Sequence, residues 1–293
     1  MEADMAEYRL FTDAACDIPK ATLNEWGVSM VDMTYKFTDE DAERYNSNTD
    51  VHDFYEQMRA GRCSRTSAVN MNTFVETFRP TLAEGTDILY LAFSSGGSTT
   101  YEQSLAAIEQ LKEEFPERKI RSVDTLAYSG GFGLMVYLAA QQQKAGKSLD
   151  EVFQYVEDTR LHVCHWFTVE DLVYLKRGGR VSAATALVGA MLGIKPVLHV
   201  DDEGHLVSVS KARSRKRSLK AMADMFRESA IDPSSGPVFI FHGDCEEDAK
   251  LLHEMVREAS GGRAVDMIEY IGPVIGSHSG PGTMALFFLG KQR

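Results

Sequence analysis

The run ILYLAFSSGGSTTYEQSLAAIEQLKEEFPERKIRSVDT, residues 88–125, decides the fold. It opens on a continuous apolar stretch, ILYLAF, and then breaks into Ser and Gly. That pattern predicts a buried strand running into a loop. From Thr100 onward, Leu105, Ile108, Leu111 and Phe115 fall on one helical stripe. KIRSVDT (119–125) alternates apolar and polar residues and predicts a second strand. Strand, helix, strand in this order argues for a largely parallel sheet with helices on its faces.

The same alternation extends outward. YRLFTD (8–13) reads as a strand running into a polar loop. Phe74, Phe78 and Leu82 form a helical stripe, and so do Val152, Phe153 and Val156. After residue 160 the character changes. TVEDLVYLKRGGR (168–180) reads as a helical stretch ended by Gly178 and Gly179. KPVLHVDDEGHLVSVSKARS (195–214) predicts a hairpin around Asp202, Glu203 and Gly204. Leu219, Met222, Met225 and Phe226 mark a helix, and VFIFHGD (238–244) a buried strand. Leu251, Leu252, Met255 and Val256 mark another helix; strands are expected at 267–271 and 284–289. The expected architecture is α/β in two domains, residues 1–160 with a mostly parallel sheet and residues 161–293 with the hairpin.

Composition bounds the function. The chain has 293 residues, 44% hydrophobic and 25% charged, which are globular values. A net charge of −12 argues against nucleic acid as a partner. One segment reverses the sign: KARSRKRSLK (211–220) carries six cations and no acid. Cys16, Cys63, Cys164 and Cys245 form no CxxC pair, so reduced thiols are expected rather than a disulfide scaffold. MEADMAEYRLF lacks the basic-then-apolar pattern of a signal peptide, and no apolar run approaches the roughly 20 residues that span a bilayer. The expectation is a soluble cytoplasmic protein.

Candidate chemistry gathers at strand ends, where the ligand crevice of an α/β sheet lies. SSGGSTT (94–100) offers glycines, hydroxyls and the amides of the following helix. It reads either as an anion site or as a helix cap with turn glycines. In TSAVN (66–70), Thr66 or Ser67 either caps the next helix or bonds an anion. GPVIGSHSGPG (272–282) reads as a shaped loop presenting His278 to an anionic group, against the blander reading of a surface histidine. Arg180 stands just past a helix end, where it can clamp a carboxylate or phosphate. Other signals fail. GKS (146–148) lacks the preceding P-loop glycine, GGFG (130–133) lacks a dinucleotide fingerprint and reads as helix packing, and there is no G-x-S-x-G elbow. His162, Cys164 and His165 lack a second ligand pair at zinc spacing, so no metal is expected.

Together these segments resemble the DegV family of bacterial fatty-acid-binding proteins over nearly the whole chain. The landmarks run in order: TDAACDIP (12–19), TSAVN, SSGGSTTYEQSLAA (94–107), VDTLAYSGGFGLMV (123–136), DLVYLKRGGRVS (171–182), IKPVLHVDDEG (194–204), the basic run, HGDCEEDA (242–249) and IGPVIGSHSGPGTMALFF (271–288). The resemblance implies a two-domain DegV-type fold enclosing one long-chain fatty acid. It implies a carboxylate held by Thr66, Ser67 and Ser98, with Ser95 as second choice, near Arg180 and His278. It further implies no cofactor, no ATP site and no catalytic residue of its own. In family members that serve a fatty-acid kinase, a separate ATP-binding subunit phosphorylates the bound acid, and the acyl phosphate feeds phospholipid synthesis. Ala68 and Val69 replace a common Gln-Pro, Thr99 a common glycine, and Ser277 and Ser279 common threonines; the hydroxyls are kept.

The tail of such a ligand requires an apolar tunnel. Thirteen Met and fifteen Phe are available to line it or to fill the core, and SAATALVGAMLG (182–193) is a candidate wall. Lys211, Arg213, Arg215, Lys216 and Arg217 are the candidate docking face for an acidic kinase subunit. Two other readings stand beside this one. One is an enzyme acting directly on a small anion, with His278 as acid/base and Arg180 as clamp. The other is a lipid sensor without kinase coupling.

Overall fold

The computed structural model describes residues 8–181 and 194–293. The candidate wall at 182–193 lies outside the described residues. β1 (Tyr8–Asp13), β2 (Val28–Val31), β6 (Asp87–Ala92) and β7 (Ile120–Asp124) form a parallel sheet in the order β2-β1-β6-β7. The chain leaves β1 toward β2 on one side and later adds β6 on the other. The carboxyl ends of β1 and β6 therefore make a switch point, where loops diverge and open a crevice. The Asp13 carboxylate ties these ends together: it accepts from Tyr90 OH (2.6 Å), Phe93 N (3.0 Å) and Ala15 N (3.0 Å).

The second sheet has six strands, ordered β10-β9-β8-β13-β11-β12. They are β8 (Val163–Thr168), the predicted hairpin β9 (Lys195–Val200) and β10 (Leu206–Ala212), β11 (Val238–His242), β12 (Met267–Tyr270) and β13 (Met284–Leu289). Its pairs are antiparallel except β11 with β12. A third, antiparallel sheet was not legible in the sequence: β3 (Thr34–Phe37) between β4 (Arg44–Tyr45) and β5 (Ser64–Ser67). One face of it is covered by α2 (Val51–Arg59), with Phe54, Tyr55 and Met58 packed on Tyr35 and Phe37 as a small separate core.

The helices of the first half are α1 (Lys20–Trp26), α3 (Met71–Ala83), α4 (Thr100–Glu114), α5 (Ser129–Lys144) and α6 (Leu149–Thr159). α5 is buried without a break from Ser129 to Val136. It packs against β8, β11 and β13 of the second sheet on one side and against the turn after β1 on the other. Its GGFG segment makes this approach possible: a Cβ on Gly131 would lie 2.2 Å from His165 Nε2. One apolar core thus runs from Leu10 and Leu89 through α5 to Phe241 and Phe287. The far face of the six-stranded sheet is covered by α8 (Arg215–Ser229) and α9 (Glu246–Ala259) around Met222, Phe226 and Leu252.

Several expectations need correction. In α4 the buried stripe is Ser104, Ala107, Ile108 and Leu111, while Leu105 is exposed. The Ser104 hydroxyl bonds Ser122 of β7 at 2.9 Å, and this close seat rotates the helix away from Leu105. Leu251 is likewise exposed, on the rim of its helix. The helix expected over 168–180 is only α7, Val173–Arg177, because Thr168 is claimed by the β8–β13 ladder opposite Met284. The loop expected at 272–282 contains a helix, α10 (Pro273–Ser279). Pro273 starts it without losing a needed N–H, and Gly280 (φ 83°) ends it.

Phe78 shows how the first core is held. It is fully buried between Phe11 (5.0 Å, edge-on), Phe74 (5.5 Å) and Tyr90 (5.8 Å). Phe78→Ala is expected to cost about 3–5 kcal/mol, read as a lower urea midpoint by circular dichroism. A loss below about 1 kcal/mol would contradict this packing.

Candidate functional site

A cavity of about 430 Å³ opens beyond the carboxyl end of β6, a size suited to a small-molecule ligand. Thr66, Ser67, Ser95, Ser98, Arg180 and His278 all border it. The rest of the wall is largely apolar, with Phe93, Phe167, Val200, Leu206, Val274 and Phe287. Both larger sheets and the small sheet contribute, so the polar residues arrive from separate parts of the chain.

Thr66 and His278 meet directly, Oγ1 to Nε2 at 2.8 Å. Thr66 sits on β5, and His278 on the last turn of α10. His278 Nδ1 is buried and has no partner among the described residues. It faces Gly178, where a Cβ would lie 2.3 Å from it. Burial, and then the charge of Arg180, push the His278 pKa down to about 4. The ring is therefore neutral at pH 7. An orphaned lone pair on Nδ1 is less costly than an orphaned N–H, so the proton belongs on Nε2. Nε2–H then donates to Thr66 Oγ1, and the Thr66 hydroxyl proton is free to point into the cavity.

Neighbouring residues of β5 alternate faces. Ser67, by contrast with Thr66, is exposed, and its hydroxyl turns to Glu43 Oε1 at 3.4 Å. Neither residue caps α3; that role falls to Asn70, whose Oδ1 accepts from Thr73 N at 3.0 Å. In the serine loop, Ser98 Oγ accepts from Thr100 N (3.2 Å) and pairs with Thr100 Oγ1 (2.8 Å), so it caps α4 from the cavity wall. The Ser95 backbone N–H donates to Asp124 Oδ1 at 3.2 Å.

Arg180 bridges two glycine turns. Nε and Nη2 both donate to Gly97 O at 3.2 Å, and Nη1 donates to Gly178 O. Burial weakens its hold on the proton, lowering its pKa. Among the described residues no carboxylate forms an ion pair with it. The polar end thus carries one half-buried cation, a neutral imidazole and hydroxyls: donors without a matching anion.

Sequence reasoning missed the closure of the serine loop by the β9–β10 turn. Gly204 O accepts from both Ser94 Oγ (3.1 Å) and Tyr128 OH (2.7 Å). Tyr128 also borders the cavity; its position at the end of β7 was the available signal. His165 lies deeper in the wall and is held neutral by burial, with Nδ1 on Val163 O and Nε2 accepting from Tyr128 N. The basic run divides. Lys211, Arg213, Lys216 and Arg217 are exposed, but Arg215 turns inward to Asp248 Oδ2 (2.8 Å) and Gly282 O (2.6 Å).

Residues 7–291 match the family model described as "Uncharacterised protein, DegV family". The chain belongs to the DegV family. It is 43% identical over 290 residues to a DegV domain-containing protein of Clostridium perfringens, covering 99% of each chain. Solved DegV structures share the fold. A DegV family protein from Thermus thermophilus, described for its fatty acid binding, superposes with a TM-score of 0.86 at 28% identity, covering 97% of this chain and 99% of its own. DegV of Bacillus subtilis, described as a fatty acid binding protein, gives 0.84 at 25% identity, with 98% and 100% coverage. The mixed α/β architecture and its parallel sheet are thus those of the DegV family.

The neutral state of His278 has a cost in acid. Its folded pKa, about 4, lies below the ordinary value of about 6.5, so the unfolded chain takes up the proton first. Stability is full above pH 6.5 and falls as pH drops from there toward 4, by on the order of 2–3 kcal/mol for this group. His165 acts in the same direction. His278→Gln is expected to lose part of this acid sensitivity, measured as urea unfolding free energies at pH 7 and 4.5. An unchanged difference between the two pH values would contradict the assignment.

Proposed function

We propose that the chain binds one long-chain fatty acid in this cavity. The carboxylate lies against Thr66, Ser98, Ser95 and Arg180, with His278 orienting the Thr66 hydroxyl, and the tail follows the apolar wall. The ligand lies between an N-terminal unit ending near residue 160 and the remainder of the chain. The observation that carries this reading is the cavity's polarity: a half-buried cation and free donors at one end, apolar side chains along the rest. A carboxylate supplies the missing anion, and a buried charge needs such a partner. Each CH₂ removed from water contributes about 0.8 kcal/mol, so a long chain brings on the order of 10 kcal/mol before the costs of binding. Fatty acid binding in the related Thermus and Bacillus proteins supports the same choice.

The Thr66–His278 pair has the look of a nucleophile beside its base. With its proton on Nε2, His278 offers Thr66 a donor and no lone pair, and its low pKa makes it a weak base besides, which favours binding over hydrolysis. The reading continues with a partner: the held carboxylate is presented in the cytoplasm to a separate ATP-binding subunit that makes the acyl phosphate. Lys211, Arg213, Lys216 and Arg217 form the docking face for that subunit. Arg215 is left out of it, since it is engaged internally.

Native mass spectrometry of the purified chain is expected to show one bound fatty acid. A rigorously emptied protein that ignores added palmitate and oleate would end this reading. Thr66→Ala and Ser98→Ala are each expected to weaken palmitate by about 1.5–3 kcal/mol, or at least tenfold in Kd, in displacement of a fluorescent fatty acid. Reversing two cations, Arg213→Glu with Lys216→Glu, is expected to slow acyl phosphate formation with a fatty-acid kinase subunit at least tenfold while palmitate binding is unchanged. Equal rates with and without the reversal would remove the docking face.

A further inference from the structure

HGDCEEDA, residues 242–249, has no place in the cavity, yet its Asp244 joins α2, which covers the small sheet, to the second half of the chain. Asp244 follows β11 in a left-handed backbone conformation (φ 56°) and its side chain is 10% exposed. Oδ1 pairs with His52 Nδ1 at 2.9 Å, and Oδ2 accepts from Arg59 Nη1. Arg59 Nη2 also donates to the Asp244 backbone carbonyl at 2.6 Å. His52 and Arg59 both belong to α2. Glu56 completes a His-Glu-Asp group of metal-ligand type, but Arg59 already engages both Glu56 and Asp244, so the group is an ion-pair network.

The other side of Asp244 is equally fixed. Gly243 N donates to Thr283 O and Gly282 N donates to Gly243 O, both at 2.7 Å. Asp244 is thereby tied to the loop that leaves α10. α2 and α10 lie on one face of the small sheet. In the β3–β5 ladder Tyr35 stands opposite Thr66, and Phe37 opposite Ser64. Tyr35 and Phe37 go under α2, while Ser64 bonds Ser277 and Thr66 bonds His278 of α10, each at 2.8 Å. Tyr55 OH, from α2, donates to Ile271 O just before α10 at 2.8 Å. The separation of α2 from α10 therefore sets where β5 presents Thr66.

We infer that Asp244 is a positioning residue for the carboxylate site: by clamping α2 to the α10 exit loop through Arg59 and His52, it holds the Thr66 hydroxyl in register with His278. This rests on the fatty-acid reading above and adds a residue remote from the ligand to it. Loosening the clamp moves the one strand that carries Thr66. The apolar wall, built mainly from the six-stranded sheet and α10, keeps its shape.

The test compares palmitate with methyl palmitate, which keeps the tail and removes the anion. The preference of each variant for acid over ester isolates the head group. Asp244→Asn, which tolerates the left-handed backbone, is expected to lower that preference to the level of Thr66→Ala, with ester affinity within about twofold of the unmodified chain. The double variant is expected to fall no further. Arg59→Gln is expected to act in the same way and serves if Asp244→Asn does not fold. An unchanged preference overturns the inference, as does an equal loss for acid and ester, which is the mark of a merely structural role. Hydrogen exchange of the ligand-free chain separates this from failure of the fatty-acid reading. Faster exchange at Ser64–Ser67 with unchanged β6 supports the clamp whatever the ligand proves to be, and unchanged Ser64–Ser67 overturns it.

Discussion

The structure depends on one packing constraint: α5 is buried between the six-stranded sheet and the turn after β1. Its first eight residues, Ser129 to Val136, have no face left for water. Glycines at 130 and 131 let the backbone press on Phe287 and His165, where larger side chains would collide. The consequence is a single core shared by both halves of the chain. The loops at the carboxyl ends of β6 and β7 then have to turn outward around the start of α5, and the space they enclose is the cavity. Ser129 begins the helix from a left-handed conformation (φ 49°), with its hydroxyl on the buried Asp17 at 2.6 Å. That strain is held by surroundings packed on every side.

The electrostatics of the polar end follow from the same enclosure. Water is displaced, so each ionisable group takes the state that burial allows. His278 gives up its charge and Arg180 keeps a weakened one. What remains facing the cavity is a set of donors. Under the fatty-acid reading proposed above, such a set would select by deficit: a neutral ligand would leave Arg180 without a counter-charge, and a cation would add a second charge that nothing balances.

Much of this was readable from residues alone where periodicity was strong. The β6–α4–β7 unit, α3 and the β9–β10 hairpin lie where their apolar patterns predicted. The small sheet was not readable because its strands are two to four residues long and mostly polar, as in TYKF, RY and SRTS. Only contacts distant in sequence make them strands. α10 was hidden by its glycines and proline, which local propensity assigns to a loop; packing on Tyr55 and Phe54 overrides this. In the site, resemblance pointed to Thr66, Ser98, Arg180 and His278, and the fold brings them to one cavity. Sequence could not tell that the Ser67 hydroxyl at the cavity border bonds Glu43, that Arg215 serves the interior, or that Gly204 seals the serine loop. Each of these depends on a partner more than twenty residues distant.

The shared core also governs how the cavity exchanges its contents. In many two-part α/β proteins the halves rock apart about a hinge and bare the ligand. Here such rocking would peel α5 from the six-stranded sheet or from the turn after β1 and expose Phe132, Leu134 and Met135 to water, at roughly 1.5–3 kcal/mol for each large apolar side chain. Access through the rim loops costs far less, since they are held by a few hydrogen bonds to glycine carbonyls. The packing around α5 is thus the part of the molecule most costly to disturb, and the rim loops the part least costly.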